Sequence, residues 1–428
     1  MEDLCYLCMP IDNFLTMNIE SKLIYDCIVI GGGISGISFA HNLSHIGKNV
    51  LVLEKGRNIG GQIQTYTSKN YPDFWVEVGA HTCYNSYTGL LSMVNESGLQ
   101  DEIISLDKCS YVLSTKHGIK SIFSQISILP LMFKGMRVFF SSRKDKTVKE
   151  YFRPIVGGKN YDKLFSRMFR AVICQPADDY PSEFFLKRRK ERMKEMPRKY
   201  SFKGGLQLML NSLVKKDNIE VKTNTEILDI TLIPFKNNTY RIRTIDGERF
   251  YSHNIAVSTN PKIAANLLKN IEPQVSRLLS TISLSRSETL NIVVEKDKLD
   301  LQKVAGIIPV SDEFMSAVSR DVAEHPHLRS FSFHFLGNNK KDNEKIDLAC
   351  RVLNIEQSDI LEHSFAFHTL PSPRKEHINI AQQVNDLRLN DKIFLLGNYY
   401  YGMSLEDCIH RSQDEFERYK TINTDSSN

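Results

Sequence analysis

Short apolar runs bounded by glycine or charge dominate the first part of the chain. Cys27–Ile30 lies between Asp26 and three glycines, and predicts a strand buried on both faces, as in a parallel sheet. Ile34–Ile46 has helical apolar spacing, and Lys48-Asn-Val-Leu-Val-Leu53 predicts a second strand that stops at Glu54. Trp75–Glu77 predicts a strand entering a turn at Gly79, and Tyr87–Val94 a helix. From Ser86 to Arg198 the glycine-punctuated pattern disappears. Tyr151–Val172 reads as helical, with Phe165, Met168 and Phe169 on one face. Strand patterns return at Glu220–Ile230, in a hairpin Tyr240–Phe250 around Asp246-Gly247, at Tyr251–Ser258, Thr289–Glu295 and Ser330–Phe335. Ser311–Glu324 reads as a helix between the last two. Lys392–Gly397 predicts a final strand and Ser404 the start of a final helix, with a polar, disordered tail after Tyr419. The alternation predicts an α/β fold.

At 428 residues the chain exceeds the usual size of one core, so two domains are expected. The formal net charge of +5 is too small to imply nucleic acid. The densest basic run, Lys187–Lys199, has no interleaved stacking aromatics, so no nucleic-acid partner is expected. It reads as a solvated face, or as a surface for an anionic lipid or substrate. Ser121–Phe140 is rich in Ile, Leu, Met and Phe, interrupted by Pro130, with Lys134 and Arg137 late in the run. Three readings stay open for it: core helices of a cap, the lining of an apolar chamber, or a bilayer-surface contact. The eight cysteines are scattered, and residues 1–22, read as an N-terminal arm, lack the pattern of an export signal. Reduced thiols and a cytoplasmic setting, with membrane contact at most peripheral, follow as expectations. Cys5-x-x-Cys8 has no second pair at zinc-like spacing, and no metal is expected.

The chemistry-bearing pattern is Gly31-x-Gly33-x-x-Gly36 between the first strand and first helix. Gly31 permits the tight turn, Gly33 lets a diphosphate approach the backbone, and Gly36 lets the helix pack closely on the sheet. The amides of Ile34, Ser35 and Gly36 then face the phosphates. Glu54, at the end of the second strand, suits a ribose. Lys55 and Arg57 lead to a second glycine pair, Gly60-Gly61, which also suits phosphate.

Together with Glu77-x-Gly79-Ala80, these segments resemble the flavin amine oxidase superfamily, nearest in pattern to protoporphyrinogen and coproporphyrinogen oxidases. The resemblance continues at Ser201-Phe-Lys-Gly204-Gly205 and Tyr251–Pro261. It ends at Gly397-Asn398-Tyr-Tyr-Tyr-Gly402-Met403-Ser404-Leu405, where Asp407-Cys408 replaces the usual Gly-Ala. It implies a Rossmann-like FAD-binding domain of the glutathione-reductase type, discontinuous over 23–85, 200–282 and 386–420. A mixed α+β substrate domain over 283–385, a mostly helical cap over 86–199 and a disordered tail over 421–428 complete that division. It implies FAD near Gly60, Gly61 and Gln62, where the family commonly has Arg. Val78, Gly79, Ala80 and His81 would lie beside the isoalloxazine and Ile227 at the adenine side. Gly397, Asn398, Gly402, Met403, Ser404 and Leu405 would meet the pyrimidine edge. Cys350 and Cys408 do not sit where a covalent flavin link occurs, so the FAD is expected to be noncovalent. The strand around Leu284–Val294 has no Lys, unlike many amine oxidases. His81 and Tyr400 are the catalytic candidates. A small-molecule substrate and O2 are the implied partners, for a monomer or homodimer. Porphyrinogen oxidation leads, with amine or amino-acid oxidation, other desaturation, and a noncatalytic binding protein as alternatives.

Overall fold

The computed structural model describes residues 23–233, 239–337, 340–387 and 392–425; the predicted N-terminal arm, with Cys5 and Cys8, lies outside them. The first sheet has seven strands. Its parallel part runs Ile219–Lys222, Val50–Leu53, Ile24–Ile30, Arg249–Val257, and Ile393–Leu395 also pairs with Arg249–Val257. The strands Thr239–Thr244 and Ile227–Ile233 continue it antiparallel beyond Arg249–Val257. Helix Ile34–His45 covers one face with the C-terminal helix, Leu405–Asp425. There Val29, Val52, Ala256 and Phe394 pack with Phe39, Leu43 and Tyr419. On the other face Ile28, Leu51, Ile255 and Leu395 pack with Ala264 and Leu268 of helix Pro261–Leu268. Both faces are covered, which is why residues 27–30, Val50–Leu53 and residues 255–257 are apolar at every position.

The second sheet also has seven strands, in the order Ile360–Ser372, Ser283–Glu295, Leu328–Leu336, Ser316–Ser319, Val304–Pro309, Ser110–Thr115, Gly118–Ser121. Alternation gives Ser283–Glu295 two faces. Leu290, Ile292 and Val294 pack with Ile346, Leu348 and Leu353 of helix Asp342–Leu353. Ser287, Thr289 and Asn291 point the other way, toward the first domain.

Three expectations need correction. Ser311–Glu324 is not a helix: it contains the strand Ser316–Ser319 and a short 3-10 turn, because backbone pairing on both sides claims Ala317. The stretch 86–199 is less helical than expected, since Ser110–Ser121 is a hairpin that extends the second sheet. The tail does not become disordered at 421, because the C-terminal helix continues to Asp425, anchored by Tyr419 on Phe394. The basic run 187–198 is irregular. Ser121–Phe140 forms helical turns around Ile128–Gly135 whose apolar side chains face solvent, so they are not core.

Candidate active site

The first strand delivers its chain end to a tight glycine turn. Gly31 has φ +108°, and a Cβ there would lie 2.6 Å from the Ser258 carbonyl oxygen. A Cβ on Gly36 would lie 2.2 Å from the Gly31 oxygen, so only glycine lets this helix approach the strand. Gly33 differs: its φ is −77°, and a Cβ would have no neighbour nearer than 4.0 Å, at Gly60 and Gly61. The open space there is a backbone-lined cradle. Gly60 is hydrogen-bonded to the Gly32 oxygen at 2.7 Å, which brings the two glycine segments together. The helix starting at Ile34 has no side-chain cap and no acid in its first turn. Its leading amides and positive end suit an anion.

Glu54 stands beside this cradle. Its carboxylate accepts the amides of Gly32 at 2.8 Å and Gly56 at 2.7 Å, which fixes its orientation. The Glu54 and Gly56 carbonyls accept the amides of Thr225 and Asn224, both at 2.9 Å, bringing the chain just before Ile227 alongside. Lys55 and Arg57 are exposed. An open glycine cradle and an uncapped helix start offer amide donors of the kind a diphosphate needs, and the oriented Glu54 carboxylate offers an acceptor of the kind ribose hydroxyls need, so these residues fit FAD.

The second part of the candidate site is the Gly79 turn, where a Cβ would lie 2.1 Å from the Gln62 oxygen. The Ala80 amide donates to that oxygen at 2.9 Å. His368 ties the turn to the second sheet, 2.9 Å from the Val78 carbonyl and 3.1 Å from the Gln62 side chain. His81 is half-buried, as are Gly79 and Ala80. Burial, then the charge of Lys199, lowers the His81 pKa to about 4. Burial, with His81 and His368 nearby, lowers His334 to about 3. Burial also holds His368 below its ordinary value. All three imidazoles are therefore neutral at neutral pH.

The sheet face toward this turn is polar and tightly bonded. Thr289 meets His334 at 2.8 Å, and Asn291 accepts from Ser330 at 2.5 Å. Gln175 donates to the Pro371 carbonyl at 2.9 Å and lies 3.3 Å from the Met403 sulfur. Sequence reasoning missed His334, His368, Asn291 and Gln175. The signal for the strand residues was polar identity at every second position, Thr289/Asn291 and Ser332/His334. The buried Lys345–Glu288 pair, 2.5 Å apart, belongs to the opposite face with helix Asp342–Leu353.

At the C-terminal segment Gly397 and Gly402 have φ of +143° and +134°. Asn398, Met403 and Ser404 are half-buried and Leu405 is buried. Ser404 accepts the Asp407 amide at 3.1 Å and caps this helix start. Tyr400 corrects an expectation. It is fully buried in the first-sheet core, stacked 4.5 Å from Tyr399 and under the Arg411 guanidinium, so it offers no surface to a substrate. Glu77, though buried, is structural: it accepts the Leu206 amide at 2.6 Å and the Thr65 hydroxyl at 2.9 Å, holding the start of helix Leu206–Leu213. Cavities of about 840 and 370 Å³ flank the Val304 strand, and neither is lined by a residue of the cradle.

Comparison with known proteins bears on this arrangement. A sequence profile of flavin-containing amine oxidoreductases matches residues 34–294. A (S)-6-hydroxynicotine oxidase from Paenarthrobacter nicotinovorans is 47% identical over 55 residues, 13% of each chain. The chloroplastic protoporphyrinogen oxidase 1 of Arabidopsis thaliana is 21% identical over 64% of this chain and 60% of its own length. The matches thus span less than two thirds of these curated relatives. A solved protein from Exiguobacterium sp. 255-15, provisionally named a protoporphyrinogen oxidase, superposes with a TM-score of 0.75 at 16% identity, covering 92% of this chain and 98% of that one. That likeness is one of fold.

Proposed function

Since the chain belongs to the flavin-containing amine oxidoreductase family, we propose that it is an FAD-dependent oxidase that oxidises a porphyrinogen and holds its cofactor noncovalently. The observation that carries this reading is the makeup of the sheet face beside the Gly79 turn. Nearest that turn, Ser287, Thr289, Asn291, Ser332, His334 and His368 include no lysine and no carboxylate, and Glu362, farther along the same face, is bonded by Tyr66, Ser68 and Asn70. A bound flavin supplies hydride acceptance from a substrate carbon, with dioxygen as the final acceptor. A porphyrinogen meso carbon fits such a wall, because its oxidation needs no dedicated protein base. Removal of a hydride and a pyrrole proton balances reduction of dioxygen to hydrogen peroxide.

In this reading Gly33, Ile34, Ser35, Gly36, Gly60 and Gly61 hold the diphosphate, and Glu54 the ribose. Ile227 lies at the adenine side. Val78, Gly79, Ala80 and His81 bound the redox ring, with Gly402, Met403, Ser404 and Leu405 opposite. The neutral imidazoles form a polar wall without adding charge. The basic loop 187–199 runs into the strand that pairs with Cys83-Tyr84, which follows His81 and Thr82. Its exposed cations suit the carboxylate tails of a porphyrinogen. An amine oxidase reading would call on paired rings beside the flavin, and Tyr399 and Tyr400 are instead sealed in the core.

The test is anaerobic mixing of the flavin-loaded chain with reduced proto- or coproporphyrin. Bleaching of the flavin band is expected before air is admitted; afterwards porphyrin fluorescence should grow faster than in an enzyme-free control, because each flavin turnover removes only two electrons and dioxygen must restore the flavin between turnovers. Peroxide production from an amine panel without porphyrin formation would replace this reading with amine oxidation. A chain that takes up no FAD would overturn both.

We also propose that the surface around Ile128–Gly135 rests on an anionic lipid surface. Phe123, Phe133, Phe139 and Phe140 are each at least 78% exposed, and Leu129, Met132 and Met136 extend the patch. Between Asp107 and Asp145 the chain has seven Lys or Arg and no acid, the complement of an anionic headgroup layer. Each large apolar side chain leaving water contributes about 1.5–3 kcal/mol. Among the described residues no helix is long and apolar enough to cross a membrane, so the contact would be peripheral. Cosedimentation with phosphatidylserine-containing vesicles is expected, and should be lost in Phe133→Asp/Phe139→Asp. No vesicle binding, with a dimer that this variant dissolves, would assign the patch to a second copy of the chain.

A further inference from the structure

Three helix C-termini converge on one edge of the first domain. Helix Ile34–His45 ends at His45, helix Thr88–Glu96 at Glu96 and helix Leu206–Leu213 at Leu213. Each brings carbonyl oxygens and the negative end of its dipole, which together favour a cation. His41 and His45 are four residues apart and share one helix face. Their Nε2 atoms are 2.9 Å apart, and both approach Oε2 of Glu96, at 3.3 and 3.4 Å. These three atoms are the only such His/Cys/Asp/Glu grouping among the described residues.

We propose that His41, His45 and Glu96 bind a divalent transition metal, best matched by Zn2+. Ligands bound at about 2.0–2.1 Å in a tetrahedron lie roughly 3.3–3.4 Å from one another. The two His–Glu separations already have that value. The His–His separation is shorter because, without the ion, the two rings share a hydrogen bond.

The supporting contacts are those of a metal site. His41 Nδ1 lies 3.1 Å from the Leu213 carbonyl. A carbonyl only accepts, so Nδ1 carries the hydrogen and Nε2 presents its lone pair. Ser92 donates to Glu96 Oε1 at 3.0 Å, leaving Oε2 turned toward the histidines. Such outer contacts orient ligands and tune affinity. His41 is fully buried, while His45 and Glu96 are each 41% exposed, which leaves solvent access for a fourth, water ligand. In the metal-free state His45 Nε2–H donates to His41 Nε2. Binding requires only that the His45 proton move to Nδ1, so neither histidine need release one. Two imidazoles and one carboxylate favour zinc, nickel or copper over calcium or magnesium. The ion would clip the glycine helix to the helix that opens the next part of the chain. This inference is independent of the substrate proposed above.

The experiment uses the full flavin-loaded chain, stripped with a chelator and titrated with Zn2+ against a chromophoric chelator. One zinc per chain is expected, with a rise in the unfolding temperature. His45→Ala and Glu96→Gln should each weaken binding by well over about tenfold, and Ser92→Ala by about tenfold or more. Flavin content and chelator-treated stability should stay near wild type, because His45 and Glu96 sit partly in solvent. Wild-type protein that binds no zinc, or zinc binding that survives His45→Ala and Glu96→Gln, overturns the proposal.

Discussion

The guanidinium of Arg189 stands 2.9 Å from the carboxylate of Asp407, joining the basic loop to the start of the C-terminal helix. Arg189 also donates to Ser404 at 2.8 Å and covers the Tyr87 ring. Lys187 adds a second cation 3.3 Å from Asp407 and donates to the Tyr401 carbonyl. The sequence run that looked like one solvated surface is thus divided: Lys187 and Arg189 are clamps, while Arg188, Lys190 and Lys194 face solvent.

That division predicts unequal costs along one run. Arg189→Ala leaves the nearly buried Asp407 with only the more distant Lys187 cation and the Ser404 hydroxyl, and should lower stability by about 1.5–3 kcal/mol in urea unfolding. Because Ser404 and Leu405 belong to the same helix start, its flavin retention should fall as well. Arg188→Ala and Lys190→Ala should stay within about 0.5 kcal/mol of wild type. Equal losses for all three would mean that the run acts as a diffuse field.

Glu77 predicts a pH dependence. Burial raises its pKa from 4.5 to about 8, against the opposing pull of the Leu206 amide and the Thr65 hydroxyl. The folded protein therefore binds a proton there that the unfolded chain releases between those values. The sign follows: this stabilising contribution is fully present below about pH 4.5 and is lost as pH rises through about 8. Glu77→Gln keeps an acceptor for Leu206 and removes the titration. Subtracting its urea stability from that of wild type should leave a slope near 1.4 kcal/mol per pH unit across that window. A flat difference would show that Glu77 is ionised throughout.

The nucleotide half was legible because its constraints are local. A buried strand, a turn that excludes Cβ atoms and a helix packed against Gly31 leave their mark in consecutive residues. The second sheet was less legible because pairing across distant residues overrides local preference. Ser311–Glu324 has helical apolar spacing at Met315, Val318 and Val322, yet the flanking strands draw Ala317 into the sheet. The exposure of Ser121–Phe140 could not be read from composition, since an apolar run does not state which way it faces. Tyr400 lies beside the expected flavin segment in sequence, but Arg411 and Tyr399 hold its ring in the core. His41 and His45 declare a shared face, whereas their partner Glu96 is 55 residues from His41.

The Lys345–Glu288 pair separates structure from chemistry. Both side chains are almost wholly buried, and strand alternation turns Glu288 away from the Gly79 turn, toward Lys345 of helix Asp342–Leu353. Lys345→Met strands a buried carboxylate and should cost about 3–5 kcal/mol. Lys345→Met/Glu288→Leu should recover most of that loss, because an apolar pair of similar volume can replace a buried ion pair. Flavin reduction by substrate in the double variant should proceed at the wild-type rate. A severe loss of reduction rate in well-folded double variant would bring Lys345 into the chemistry.

Gly33 and Gly36 give opposite expectations although both belong to one motif. A Cβ at Gly36 meets the Gly31 oxygen at 2.2 Å, so Gly36→Ala must push the helix off the strand and should fail to fold. A Cβ at Gly33 meets nothing nearer than 4.0 Å, and its φ of −77° suits any residue. Gly33→Ala should therefore fold, losing about 1 kcal/mol at most through its helix-cap position. Its methyl group would project into the cradle that the diphosphate needs. The expected product is a stable, monodisperse, colourless protein with wild-type circular dichroism that takes up no FAD on reconstitution. Wild-type flavin content in folded Gly33→Ala would move the diphosphate elsewhere, and the site reading built on this turn would fall with it.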